Sequence, residues 1–184
     1  DIDIFFVCVQ TPQFDDGSCD TRYVEAALGD VGRAAKEGAL AVIKSTVPPG
    51  TVEKFKAALG RADLRLAVNP EFLREGSSLN DFFHPYRTVV GVETHEDATL
   101  LREIYSFLDA PFLAMNIPSA QIVKYASNTM LALRLSYINE VANIAEVTGG
   151  HIKDIEQAVG LDPRIGSDFL RSGAGFGGSC FPKD

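Results

Sequence analysis

Near its end the chain reads Gly175-Phe176-Gly177-Gly178-Ser179-Cys180-Phe181-Pro182-Lys183-Asp184. Three glycines crowd the five positions before the cysteine. Glycine admits positive φ and lets a ligand approach the backbone. A thiol held in such a loop is open to a substrate. Lys183 favours its thiolate, the reactive form, and Asp184 places a carboxylate four residues on. The pattern points to a nucleophilic cysteine with an acid–base partner. The ordinary alternative is a buried, inert thiol.

Other residues could share that chemistry. Lys124 and Asn128 stand at i and i+4, so a helix presents them on one face. An ammonium beside an amide can donate to a developing oxyanion; a solvated polar stripe is the competing reading. Asn139 and Asn143 repeat the spacing, and Asn139-Glu140 reads as a buried polar pair fixing helix contacts. Glu71 and Glu75 follow a strand end and could serve as general base and ligand contact, or simply open a helix. Arg74 and Arg164 could meet phosphate or carboxylate, although exposed ion pairing is the commoner fate of an arginine. Cys8, Cys19, His84, His95 and His151 have no metal-ligand spacing, so no metal site is expected. Cys8 lies in an apolar run and is expected in the core. No GxGxxG occurs, and the glycines at 173–178 lack a preceding strand.

These residues need a frame. Ile2–Val9, Leu40–Lys44, Leu64–Val68, Thr88–Val92 and Phe112–Met115 are short apolar runs, as strands buried on both faces read. Helical patterns lie between them: Asp20 or Thr21 to Lys36, Thr51 to Leu59, and a Thr94-x-x-Asp97 capping box opening a helix to Phe107. The alternation predicts an α/β fold with a parallel sheet and crossover helices. Ligands of such sheets sit at the carboxyl ends of the strands. Those ends are Thr11-Pro12, Ser45-Thr46 and Asn69-Pro70-Glu71.

From about residue 118 to residue 148 the pattern turns helical, with Ile122, Ala126, Met130, Leu133, Tyr137, Val141 and Ile144 in register. Such a helix spans about 45 Å, long enough to pack on one side against a partner subunit. Gly149-Gly150 ends it; a helix over Ile152–Val159 follows, and another short one is expected over 164–172.

Composition narrows the class. The 184 residues are 46% hydrophobic and 23% charged, which is ordinary for a globular protein. The net charge of −8 argues against nucleic acid as a partner. No apolar run of membrane-spanning length occurs. Three cysteines without CxxC suit a reducing compartment, and a cytoplasmic location is expected. The chain opens on Asp1, not Met, and is expected to be an internal segment of something longer.

Taken in order, Val9-x-Thr11-Pro12, Ser45-Thr46-Val47-Pro48-x-Gly50-Thr51, Asn69-Pro70-Glu71-Phe72-Leu73-Arg74-Glu75-Gly76, Lys124-x-x-x-Asn128 and the glycine–cysteine ending resemble the UDP-glucose/GDP-mannose dehydrogenase family. The likeness covers essentially the whole chain. Gly160-Leu161-Asp162-Pro163-Arg164-Ile165-Gly166 and the ending are most similar to the UDP-glucose branch, with the GDP-mannose branch as runner-up. Gln10 departs from the small residue or asparagine usual there.

The resemblance implies residues 1–115 as the later part of an NAD-binding Rossmann domain. Residues 116–184 would be an all-α central dimerisation domain built on the long helix, and the nucleotide-sugar domain would lie beyond Asp184. It further implies oxidation of a sugar C6 alcohol to the carboxylate with two NAD⁺, through a thiohemiacetal and a thioester on Cys180. Lys124 and Asn128 would stabilise oxyanions. Asp184 would act as base with a water, and Glu71, with Thr46 nearby, would help activate the hydrolytic water. Thr11, Pro12, Thr46, Glu75 and Lys183 would contact the cofactor. Phe72, Leu73 and the backbone at Phe176 and Gly177 would line the sugar site. Arg164 would reach the substrate of the other subunit of a homodimer. The chain by itself is expected to be inactive. Two other classes remain: a dimerisation module without activity, and a β-hydroxyacid dehydrogenase, whose chemistry needs no cysteine.

Overall fold

Five apolar runs become the strands of one sheet in a computed structural model, which describes residues 3–178 and 181–184. The strands are β1 (Ile4–Val7), β2 (Leu40–Ile43), β3 (Arg65–Val68), β4 (Thr88–Gly91) and β5 (Phe112–Met115), in the spatial order of the sequence. The helices are α1 (Arg22–Ala34), α2 (Val52–Leu59), α3 (Ser78–Phe83), α4 (His95–Ile104), α5 (Ile117–Thr148) and α6 (Ile152–Gly160). The fold is α/β, as expected, followed by the long helix.

The chain divides into two compact units, Asp1–Lys124 and Tyr125–Asp184. In the first, β2 shows why the sheet is covered on both faces. Ala41 and Ile43 join a core with Val24, Leu28, Phe55 and Leu59 from α1 and α2. Leu40 and Val42 join another with Ala67, Val90 and Leu101. Alternate strand residues point to opposite faces, so a run apolar throughout must be buried twice. Each fully buried Val, Leu, Ile or Phe side chain contributes about 2 kcal/mol.

The sheet is mixed rather than parallel. The β1–β2, β2–β3 and β4–β5 pairs are parallel, but β3 and β4 meet antiparallel at Val68 and Gly91. The segment between β3 and β4 holds only the six-residue α3, too short to carry the chain back across the sheet. Thr94 caps the helix: the Asp97 amide donates to Thr94 Oγ1 at 3.1 Å, and Thr94 Oγ1 donates to Asp97 Oδ2 at 2.8 Å. Asp97 also holds the partly exposed Arg65 on β3 as an ion pair.

Three local expectations fail. Cys8 is exposed, not core. It follows β1, which has a neighbour on one side only among the described residues. No helix forms over 164–172, where Gly166 (φ +74°) and Phe169 (φ +58°) take left-handed conformations that interrupt a helix. Glu140 is exposed rather than part of a buried pair.

In the second unit α5 buries Asn128, Ile138 and Ala145. Met130, Leu133, Tyr137 and Ile144, each more than half exposed, form an outward apolar stripe. No helix among the described residues is long and apolar enough to cross a membrane.

Candidate active site

In the first unit the candidate residues gather where β1, β2 and β3 end. Ser45 joins the first two ends: its Oγ accepts the Val9 N–H at 3.0 Å and donates to the Val9 carbonyl at 2.6 Å. Thr11, two residues beyond Val9, and Thr46, the residue after Ser45, are buried; Pro12 is exposed, and its carbonyl accepts the Asp20 amide. The loop bearing Thr46 is held from α5. Gln121 Nε2 donates to Thr51 Oγ1 at 3.0 Å, and Thr51 Oγ1 donates to the Pro48 carbonyl at 2.7 Å.

Beyond β3, Glu71 meets Lys124. The ammonium donates to Glu71 Oε1 at 3.1 Å, and the Leu73 amide donates to Oε2 at 2.6 Å. The Lys124 side chain is 5% exposed and that of Glu71 is 30% exposed. The Phe72 ring meets two cations: Lys124 Nζ is 5.5 Å from its centre and Arg87 Cζ is 4.3 Å away. Each contact draws on the negative face of the ring. Leu73 and Glu75 are exposed.

Arg74 fastens this loop. Its amide, Nε and Nη2 all donate to Asp81, at 2.9, 2.9 and 2.6 Å. The guanidinium, foremost, holds the Asp81 carboxyl far below the usual carboxylate range. Arg74 is therefore engaged within the protein, as is Arg164, whose guanidinium pairs with Asp162 at 2.6 Å.

In the second unit, Asn128 Nδ2 donates to Asp184 Oδ2 at 2.6 Å, and Lys183 Nζ donates to Asp184 Oδ1 at 2.7 Å. The Asp184 side chain is 2% exposed, so both donors meet a carboxylate shielded from water. Gly175 and Gly178 take positive φ, as a glycine turn requires. The loop is pinned at its base: the Gly173 amide donates to Asn139 Oδ1 at 2.9 Å, and Ser172 donates to Glu156 Oε1 through its amide and hydroxyl at 2.6 and 2.7 Å. Hydrogen bonding from Lys153, and then from Ser172, pulls the Glu156 carboxyl down to about 2. The Phe181 ring lies 6.1 Å from both Phe169 and Phe176. Gly177 is exposed. Ser179 and Cys180, the expected nucleophile, lie outside the described residues.

The structure thus brings Glu71, Phe72 and Lys124 together in one unit and Asn128, Lys183 and Asp184 in the other. Sequence reading missed Gln121 and Arg87 as holders of these groups, and gave Asn139 a helix-fixing role rather than its bond to the glycine loop. A glutamine one turn before Lys124 was the available signal for Gln121; Arg87 carries none in local pattern. Among the described residues, no cluster of histidine, cysteine or carboxylate is placed to hold a metal ion.

Residues 1–109 match the NAD binding domain of the UDP-glucose/GDP-mannose dehydrogenase family, and residues 118–184 match its central domain. A UDP-glucose 6-dehydrogenase of Rickettsia typhi is 47% identical over the whole chain, which covers 43% of that protein. The structure of a UDP-glucose dehydrogenase from Pyrobaculum islandicum superposes with a TM-score of 0.94 at 49% identity, covering 98% of this chain and 44% of that one. A GDP-mannose dehydrogenase from Pseudomonas aeruginosa superposes at 0.81 with 34% identity, covering 98% and 44%. The chain therefore spans less than half the length of these relatives.

Proposed function

The chain belongs to the UDP-glucose/GDP-mannose dehydrogenase family, and we propose that its protein oxidises the C6 alcohol of UDP-glucose to the carboxylate. The observation that carries this is the buried Lys124 ammonium held beside Glu71 at 3.1 Å. That pair sets an oxyanion donor next to a base where a strand ends, as acyl chemistry requires.

The cofactor of this family domain is NAD. The ends of β1, β2 and β3 offer Thr11, Thr46 and Asn69, all buried and polar. Such a rim fits a dinucleotide at the carboxyl edge of parallel strands. Thr11, Pro12, Thr46, Glu75 and Lys183 would hold it. When bound, NAD⁺ would supply the hydride acceptor, one molecule for each of the two oxidations.

The chain's own residues do the rest. Asp184, with a water, takes the proton of the C6 hydroxyl. The Cys180 thiolate adds to the aldehyde carbon, and the carbonyl electron pair moves onto oxygen. Lys124 and Asn128, one helical turn apart on α5, donate to that oxyanion. An ammonium has three donors and an amide nitrogen two, so each can keep its carboxylate and still donate. After the second oxidation the carbon is a thioester. Glu71, with Thr46, orients the water that hydrolyses it, releasing acid and thiol. Phe72, Leu73 and the Phe176–Gly177 backbone line the sugar. The apolar stripe of α5 supports a homodimer, in which Arg164 reaches the partner's substrate. Cytoplasm is the proposed compartment.

The test is NADH formed per sugar by the protein at its natural full length, with UDP-glucose and GDP-mannose offered separately. Two per UDP-glucose is expected. One per sugar would remove the role given to Cys180. Two with GDP-mannose alone would reassign the substrate, and none with either would sink the reading.

A further inference from the structure

We infer that Lys44 is a positioning residue: with Tyr105 it clamps Asn69, and so fixes the strand end from which Glu71 projects. The inference rests on the role proposed for Glu71. Lys44 follows β2, and the Asn69 amide beside it donates to the Ile43 carbonyl at 2.8 Å, continuing the β2–β3 ladder. Lys44 Nζ donates to Asn69 Oδ1 at 2.9 Å. The Tyr105 hydroxyl donates to the same oxygen at 2.5 Å. Asn69 Nδ2 donates to the Val89 carbonyl on β4 at 2.7 Å. The asparagine, 2% exposed, is therefore held from β2, β4 and the end of α4 at once.

This clamp sits where the sheet is weakest. β3 and β4 share one paired position, Val68 with Gly91, and Asn69 is the next residue. Pro70 then restricts φ, and Glu71 follows, so the orientation of Asn69 passes to Glu71 with little slack. Lys44 also lies two residues before Thr46. One side chain thus steadies two proposed active-site positions.

Tyr105 alone would satisfy Asn69 Oδ1, so the lysine needs a further reason. A half-buried ammonium carries a desolvation cost that an apolar side chain of equal length would not. Burial draws the Lys44 ammonium below its ordinary pKa, while the charge of Glu71 opposes this. Among the described residues no carboxylate lies within ion-pair distance of it. The Tyr105 ring gives a face at 5.9 Å. Its charge is placed to hold Asn69 firmly and to act on Glu71 at a distance, leaving the Glu71 carboxylate to Lys124.

The test uses the protein at its natural full length, with Lys44→Met and Tyr105→Phe. Amide exchange is followed without substrate. Lys44→Met is expected to speed exchange in residues 71–77 about ten-fold, the effect of losing one hydrogen bond from a charged donor, with peptides of α1 unchanged. Tyr105→Phe, a milder change that serves if Lys44→Met does not fold, is expected to give about five-fold. Unchanged exchange in 71–77 overturns the inference. In turnover, Lys44→Met is expected to lower kcat about thirty-fold while KM moves less than about three-fold, with part recovered in Lys44→Arg. A loss confined to KM, or none, also overturns it. A wild-type protein inactive on every nucleotide sugar would sink the proposed function instead, and the exchange result would still decide the clamp.

Discussion

Replacing Lys124 by Met and Glu71 by Leu, singly and together, tests the heart of the candidate site. The two groups are 3.1 Å apart, with side chains 5% and 30% exposed. At an effective dielectric of 20 their attraction is about 5 kcal/mol before desolvation. Breaking a fully buried pair costs about 3–5 kcal/mol, and an exposed pair is worth under about 1 kcal/mol. One deep partner and one partly solvated partner place the coupling near 2 kcal/mol. The single changes should be unequal. Without Lys124, Glu71 can turn to water, at a cost of about 1.5 kcal/mol including the lost contact with the Phe72 ring. Without Glu71, the ammonium stays buried without its carboxylate, at a cost of about 3 kcal/mol. Urea unfolding of the four proteins at pH 7 gives the cycle. Coupling under about 0.5 kcal/mol, or Lys124→Met costing more than Glu71→Leu, would refute the reasoning. In turnover, Lys124→Met should lower kcat about 100-fold or more, as loss of an oxyanion donor does.

Gly32→Ala places a Cβ 2.0 Å from the Leu59 carbonyl oxygen, forcing α1 from α2, and should destabilise by about 3 kcal/mol in urea unfolding. Gly29→Ala on the same helix meets nothing nearer than 3.6 Å and should be neutral or stabilise by up to about 1 kcal/mol. Glu156 titrates near 2 when folded against an ordinary 4.5, so its contribution is complete above the unfolded value and is lost as pH falls from 4.5 toward 2. Thermal unfolding should show that loss in the wild type and a flatter acid limb in Glu156→Gln. Asn139→Ala removes the acceptor of the Gly173 amide and should speed amide exchange or proteolysis at 173–178 about five-fold. Asn143→Ala, at an exposed position, should leave that segment unchanged.

What the sequence made legible follows from how far each signal reaches. The strands and the Thr94 cap are local, and they were found. The reversal of β4 depends on residues 69–87 as a whole: a connection with no helix long enough for a crossover returns the chain antiparallel. Apolar character at Cys8 suggested two-sided cover, but Cys8 lies past the end of β1, which among the described residues has a neighbour on one side only, and it is exposed. The family was legible because five short motifs stand in one order across the chain. The burial of α5 was not legible. Periodicity marked Met130, Leu133 and Tyr137 as one apolar face, and these are exposed in the single chain, while Gln121, Lys124 and Asn128 are buried. Polar side chains can be buried only with partners, and here those partners are Thr51, Glu71 and Asp184, which lie 70, 53 and 56 residues away in sequence. A window of one or two helical turns contains none of them. Hydrophobic pattern therefore locates the helix, and the long-range polar pairs decide which of its faces goes inside.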